Sequence, residues 1–142
     1  MKSNSFKFSM SNVTLQLLII LLMHQSLKTT IPNHFSFFGT PDNYLHGVSL
    51  PTIFETLFFI NLLSYFIGIL PLTRVPSILL TTILKQIKVM LSIWLSTFSW
   101  CLMLFFFFDS NRLLETLLFF INASLLISCS VIVIRNLFIN SK

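Results

Sequence analysis

The chain has 142 residues, of which 55% are hydrophobic and 9% are charged, with a formal net charge of +5. So few charged groups cannot cover a water-soluble domain, and the thinly spread positive charge does not form a nucleic-acid surface. Both observations exclude an ordinary globular protein and predict a single integral membrane domain over residues 1–142.

The first hydrophobic segment, residues 10–27, follows a polar start that contains Lys2 and Lys7. Its apolar core is short and includes Thr14 and Gln16, which leaves two alternatives open. The segment is either a retained first membrane span or the apolar region of a secretory signal peptide. No small-residue cleavage site follows in the sequence, which favours a retained span.

The connection at residues 28–52 is predicted to be a polar loop, because it contains three prolines and two glycines. A turn is expected at residues 40–43, and the aromatic side chains of the loop are expected at the membrane interface. The side chains of His34, Asp42 and His46 share this loop. Their spacing matches no zinc-site pattern, so no metal site is predicted.

The second span is predicted at residues 53–72 and the third at residues 89–108. The third has no charge, proline or glycine over twenty residues, which is about the 30 Å needed to cross the hydrocarbon layer as a helix. Between them, residues 75–84 form an apolar segment that is too short to cross. This segment is predicted to lie at the interface, with Lys85 and Lys88 reaching toward lipid phosphates.

A tight connection at residues 109–112 leads into the last span, residues 113–134, and a short basic tail follows at residues 135–142. Backbone groups in lipid must be paired within the segment, so each span is expected to be helical. The predicted fold class is therefore an all-α membrane protein, a small polytopic bundle of about four transmembrane helices.

Charges are distributed unevenly along this chain. With four spans, seven bases fall on one side and two, Lys28 and Arg112, on the other. The seven are Lys2, Lys7, Arg74, Lys85, Lys88, Arg135 and Lys142, and the four acids on the opposite side are Asp42, Glu55, Asp109 and Glu115. The positive-inside rule then predicts that both termini face the cytoplasm, or the matrix of a mitochondrion.

Small and polar residues recur at helical spacing in the last three spans. Such residues let membrane helices approach closely and bond to one another, so they are candidates for helix packing. The candidates are Asn61, Ser64, Gly68, Ser92, Ser96, Ser99, Ser124 and Ser128. Antiparallel register predicts that Ser99 lies near Ser124 and Ser96 near Ser128, in a three-helix bundle around the third span with the first helix at its edge. The alternative is a polar pathway lined by Asn61, Ser64, Tyr65, Ser96, Ser99, Asn122 and Ser124.

No pattern in the sequence predicts catalysis. The chain offers no Ser-His-Asp order, no phosphate-binding glycine loop and no Cys/His nucleophile pair, and every Asp, Glu, Lys and Arg falls at or outside the end of a predicted span. We therefore expect no enzyme activity, no cofactor and no metal. The expected partners are the lipid bilayer and, within it, other membrane proteins or further copies of the chain, with no nucleic acid.

Three segments, residues 58–71 with Gly68-xx-Pro71, residues 91–100 and residues 130–140 with Arg135 and Asn140, resemble ATP synthase subunit a. The resemblance implies an alternative function, a hydrophobic subunit of an energy-transducing complex. A third alternative is a reading frame with no selected function, because seventeen phenylalanines beside a single alanine are typical of A/T-rich coding. The function predicted first is interaction or assembly within the bilayer.

Overall fold

The computed structural model describes the backbone of residues 2–72, 77–109 and 112–140, and the side chains of residues 9–72, 77–109 and 112–138. Helices make up 76% of the chain, which confirms the helical class. In chain order the elements are helix α1 (Lys2–Leu22), a 3₁₀ turn (His24–Ser26), strands β1 (Thr30–Phe35) and β2 (Pro41–His46), and helices α2 (Leu50–Ile69), α3 (Ile78–Phe107) and α4 (Arg112–Asn140).

Three of these helices are long and apolar enough to cross a membrane, over Leu50–Ile69, Ile78–Phe107 and Arg112–Phe138. The helix surfaces are largely apolar, and among the described residues 28 large hydrophobic side chains are exposed. A water-soluble monomer does not normally expose so much apolar surface, whereas lipid solvates it. The exposed apolar surface of this fold therefore indicates integration into a membrane.

Helix α1 differs from the predicted first span in its limits. It ends at Leu22 rather than at residue 27, because the chain tightens into a 3₁₀ turn in which the Ser26 amide donates to the Met23 carbonyl at 2.8 Å. Leu27 is already extended. The apolar part of α1, Ser9–Leu22, is shorter than the three spanning helices.

The predicted interfacial segment at residues 75–84 is not separate from the third span over its described residues. Residues 78–84 form the first turns of a continuous 30-residue helix. The hydroxyl of Ser77 caps that helix by accepting from the Leu80 amide, and no proline or glycine interrupts the helix before Phe107. Helix α4 likewise continues past residue 134 to Asn140, so most of the predicted basic tail is helical. Arg74 and Lys142 lie outside the described residues.

The polar loop contains a two-stranded antiparallel hairpin, which the sequence interpretation missed. Thr30 pairs with His46 and Phe35 with Pro41, with irregular register after Pro32. The turn lies at residues 36–40, where the Gly39 amide donates to the Ser36 carbonyl at 3.0 Å, and not at residues 40–43 as predicted. Each strand has only one partner, so a proline in either strand can face the unpaired edge.

Helix α3 lies between α2 and α4, while α1 packs mainly against α2 and also touches α3. The best-packed core lies at the end of the bundle that carries the hairpin. Its buried members come from α1, β1, α2 and α3 and are Ile20, Ile31, Ile53, Leu57, Leu102, Met103 and Phe106. We call this end of the bundle, which carries β1 and β2, the hairpin end.

Candidate functional site: a buried polar cluster between three helices

Polar side chains from α1, α2 and α3 meet inside the bundle, at about the middle of α2. Asn61 of α2 is 1% exposed, and Gln16 of α1 and Ser99 of α3 are fully buried. Half-buried Asn12, Ser96 and Trp100 complete the group. We call these six residues the polar cluster.

Asn61 is the centre of the polar cluster. Its amide nitrogen donates to Gln16 Oε1 and to the Leu57 carbonyl of its own helix, both at 2.8 Å. Its amide oxygen accepts from Asn12 Nδ2 at 2.5 Å. Both ends of the side chain are therefore used, and α1 is tied to α2 at two positions one helical turn apart.

The bonds continue from α1 to α3. Gln16 Nε2 donates to Ser99 Oγ at 2.9 Å, and Asn12 Nδ2 donates to Ser96 Oγ at 3.1 Å. In return, the indole nitrogen of Trp100 donates to Asn12 Oδ1 at 2.5 Å. Three helices thus share one hydrogen-bonded network, which fixes their rotation and their register along the bundle.

A second polar contact, the serine pair Ser64 and Ser92, joins α2 to α3 further from the hairpin end. Ser64 Oγ donates to the Ser92 carbonyl at 2.7 Å, and Ser92 Oγ donates to the Ser64 carbonyl at 2.9 Å. Each hydroxyl reaches the backbone of the facing helix, so the two helices must approach closely here.

The chemistry of the polar cluster favours packing over transport. Its amides, hydroxyls and indole do not titrate near neutral pH, so the cluster cannot pick up or release a proton. Its donors and acceptors are directed at one another rather than at an open channel. An interlocked neutral network of this kind stabilises one arrangement of the helices.

Five of the eight packing candidates from the sequence meet between α1, α2 and α3: Asn61, Ser64, Ser92, Ser96 and Ser99. The hydroxyls of Ser96 and Ser99 bond to residues of α1, and not to Ser128 and Ser124 of α4 as the register argument predicted. Ser124 is exposed and donates to the Ile121 carbonyl of its own helix. Gly68 and Ser128 are partly buried, outside the polar cluster.

Sequence reasoning missed the contribution of α1, because it takes Gln16 only as a break in a short apolar core and gives Asn12 no role in packing. A signal was present in their spacing. The buried positions of α1 are Ser9, Val13, Gln16 and Ile20, which recur every three or four residues and therefore share one helix face. Two polar residues on the buried face of a membrane helix predict polar partners on a facing helix.

Charged and titratable groups gather at the hairpin end. The Lys28 ammonium pairs with the Asp109 carboxylate, and the Lys28 amide donates to the Phe106 carbonyl at 3.0 Å, which ties the hairpin to the end of α3. His34 bonds Asp42, and His46 bonds Thr30. Within the described part of the chain, His, Cys, Asp and Glu side chains form no group of three or more that could hold a metal ion.

No protein-family model matches the chain, and comparisons with curated proteins and with solved structures find no significant similarity. The resemblance to ATP synthase subunit a therefore gains no support from these comparisons.

Proposed function

We propose that the protein is a four-pass membrane protein without a catalytic site that acts by interaction or assembly within the bilayer. The supporting observation is the exposure of α4. This helix has the highest mean hydropathy of the three spanning helices, 2.5, yet 6% of its apolar window is buried, against 33% for α3. A membrane helix with so little cover inside its own chain is available to a neighbouring helix.

A fourth crossing by α1 is supported by its register against α2. Ser9 Oγ donates to the Asn61 carbonyl, whereas Ile20, further along α1, packs in one cluster with Ile53 and Leu57, which precede Asn61, so the two helices run antiparallel. Lys2 is seven residues from Ser9, and Ile69 is eight residues from Asn61. At about 1.5 Å per residue, the start of α1 therefore comes level with the end of α2.

The proposed orientation has both termini in the cytoplasm or the matrix. At the hairpin end lie Asp42, Asp109 and Glu115, while Lys85 and Lys88 of α3 and Arg135 of α4 lie toward the opposite end. Lys88 Nζ donates to the Leu70 carbonyl, which places this lysine beside the end of α2. A base-rich end facing inward is the arrangement that the positive-inside rule favours.

Orientation can be tested with two probes on one molecule. In a Cys101→Ser, Cys129→Ser background, Asn33→Cys on the exposed hairpin should react with a membrane-impermeant maleimide, because it faces away from the cytoplasm or matrix. A tag fused after Lys142 should resist protease in the same intact cells or organelles. Labelling of Asn33→Cys together with proteolysis of the tag would contradict the three crossings by α2, α3 and α4 that separate the hairpin from the C-terminus.

Assembly can be tested by cysteine crosslinking in native membranes. In the same cysteine-free background, Ile127→Cys probes the exposed face of α4 and Leu63→Cys the exposed face of α2, since the two side chains are 63% and 52% exposed. We expect crosslinked products from Ile127→Cys and none from Leu63→Cys. Equal yields at the two positions would indicate random collision and contradict an α4 interface.

Purification distinguishes the alternatives. Recovery of the native protein in a stable large assembly would favour the hydrophobic subunit of an energy-transducing complex, whereas a small oligomer of this chain would oppose it. Failure of mass spectrometry to detect the endogenous protein would favour a reading frame without selected function and contradict the proposal.

A further inference from the structure

A partly open cavity of about 380 Å³ lies between the hairpin and helices α2 and α3. Its walls are mainly apolar and include Ile31 and Leu45 from the hairpin, Ile60 from α2, and Phe98, Leu102 and Phe106 from α3. Both the volume and the mostly apolar lining with a few polar groups are typical of small-molecule sites, which span roughly 300–1,000 Å³.

The polar lining residues are Asn33, His34 and Thr56. His34 Nδ1 lies 2.5 Å from Asp42 Oδ1, so its proton points to the carboxylate and Nε2 remains as an acceptor in the neutral ring. The Asn33 amide can both donate and accept. The Thr56 hydroxyl donates to the Thr52 carbonyl and can still accept. These groups suit hydroxyl and carbonyl groups of a ligand.

The cavity extends from the hairpin surface to the depth of α2 residues 56–60. Thr56 and Ile60 are six and ten residues from the start of α2, so they lie about 9 and 15 Å along its axis. If the hairpin rests at the headgroup level, these side chains lie within the hydrocarbon of the adjacent leaflet. The cavity therefore has a polar mouth and an apolar interior, and a ligand can enter it from the bilayer.

We propose that this cavity binds a neutral single-chain lipid with a hydroxyl-bearing head, of the monoacylglycerol type. The hydrocarbon chain occupies the apolar interior, and the head hydroxyls bond Asn33 and His34. An anionic head would approach the Asp42 carboxylate, and no lysine or arginine lines the cavity to compensate. The proposal rests on the membrane placement proposed above, because the bilayer delivers the ligand.

Fluorescence quenching tests the binding directly. The indole of Trp94 stacks on Phe98 with ring centroids 5.4 Å apart, and Phe98 lines the cavity, so a bromine atom on a bound chain would quench Trp94. The full-length Trp100→Phe protein in nanodiscs is titrated with a monoacylglycerol brominated on its chain. We expect saturable quenching that excess unbrominated monoacylglycerol reverses. The fatty acid with the same brominated chain should bind at least tenfold more weakly.

Matched variants distinguish binding in the cavity from partitioning of the ligand into the surrounding lipid. Leu102→Phe fills the cavity and should weaken apparent binding at least tenfold, whereas Leu63→Phe makes the same change on an exposed face and should leave binding unchanged. If Leu102→Phe fails to fold, Leu45→Phe fills the cavity from the hairpin side. Quenching that rises linearly without saturation, or that is equal in the filled and control variants, overturns the proposal.

This outcome is independent of the topology test. Normal labelling of Asn33→Cys with unsaturable quenching would reject the lipid site and keep the membrane arrangement. Tighter binding of the fatty acid than of the monoacylglycerol would reject the neutral head and assign the site to an anionic lipid. Loss of membrane insertion itself would reject both proposals together.

Discussion

The two faces of α3 are built differently. Toward α1 and α2, α3 presents Ser96 and Ser99, which enter a side-chain network with Asn12, Gln16 and Asn61. Toward α4 it presents Cys101 and Phe105, which pack on Leu114 and Leu118. In lipid, apolar contact between helices provides little driving force, because the surrounding chains are equally apolar. The first interface is therefore specified by polar bonds, and the second, near the hairpin end, by shape.

Contacts with the hairpin compensate for part of this difference. Asn122 Nδ2 donates to the Phe37 carbonyl at 3.1 Å, and the Phe38 ring stacks on Phe119 with centroids 5.9 Å apart. Helix α4 is thus positioned by α3 on one side and by a loop outside the bundle on another. This arrangement explains how a helix with little polar contact keeps a defined position.

The largest effect is expected at the polar interface. Asn61→Leu removes the partners of Gln16 Oε1 and Asn12 Nδ2 inside the bundle, and we expect a loss of about 1–3 kcal/mol in the free energy of unfolding. Unfolding by sodium dodecyl sulfate in mixed micelles measures this loss. A free energy equal to that of the unmodified protein would show that the network does not stabilise the bundle.

A smaller effect is expected where the hairpin meets α4. Gly39 has φ +83°, and a Cβ there would lie 2.3 Å from the Glu115 carbonyl oxygen. Gly39→Ala should therefore separate the hairpin from α4 and lower the free energy of unfolding by about 1–2 kcal/mol, because a residue with a Cβ is strained in left-handed backbone. Hydrogen exchange of the hairpin amides reports the separation.

Gly47→Ala is the matched control, since Gly47 has φ +67° but nothing within 4 Å of the added carbon. It reports backbone strain alone. Equal exchange rates and stabilities in the two variants would mean that the hairpin tip does not position α4.

A still smaller effect is expected at the far end of the α3–α4 interface. Gln86 Oε1 accepts from Asn136 Nδ2 at 2.9 Å in a partly buried bond. Gln86→Leu should lower the free energy of unfolding by about 0.6 kcal/mol, the average for such bonds between membrane helices. A loss as large as that of Asn61→Leu would remove the distinction between the two faces of α3.

The smallest effect is expected for the exposed ion pair. Lys28→Gln removes the charge that meets Asp109, whose side chain is 97% exposed. Solvent and salt screen such a pair, so the stability change should stay below about 1 kcal/mol and disappear at high salt. Thermal unfolding at two salt concentrations checks this, and a salt-independent loss would assign Lys28 a different role.

The helical class and the three long spans could be predicted because length and hydropathy alone identify a membrane helix. The limits of these helices could not be predicted, because lysine and arginine residues such as Lys85, Lys88 and Arg135 are typical of the ends of membrane spans. A helix tolerates such residues wherever its side chains can reach water or a carbonyl, as Lys88 does with Leu70.

The polar cluster was predicted in part. Asn61, Ser96 and Ser99 stand out as polar residues in apolar spans, but their partners on α1 lie in the weakest hydrophobic segment. The hairpin was missed because its strands contain Pro32 and Pro41 and lack the alternation of a half-buried strand. The residues of α3 and α4 that it contacts are distant in the sequence.

The helices of this bundle are unequal in length. Helix α2 has 20 residues and α3 has 30, a difference of about 15 Å along the axis. A bilayer that matches α2 leaves the first turns of α3 uncovered, with Ile78 89% exposed. The extra length of α3 includes Lys85 and Lys88, and Lys88 bonds the end of α2, so these turns extend past the hydrocarbon toward the headgroups. The apolar side chains at the start of α3 should consequently pack against the headgroup layer of that leaflet.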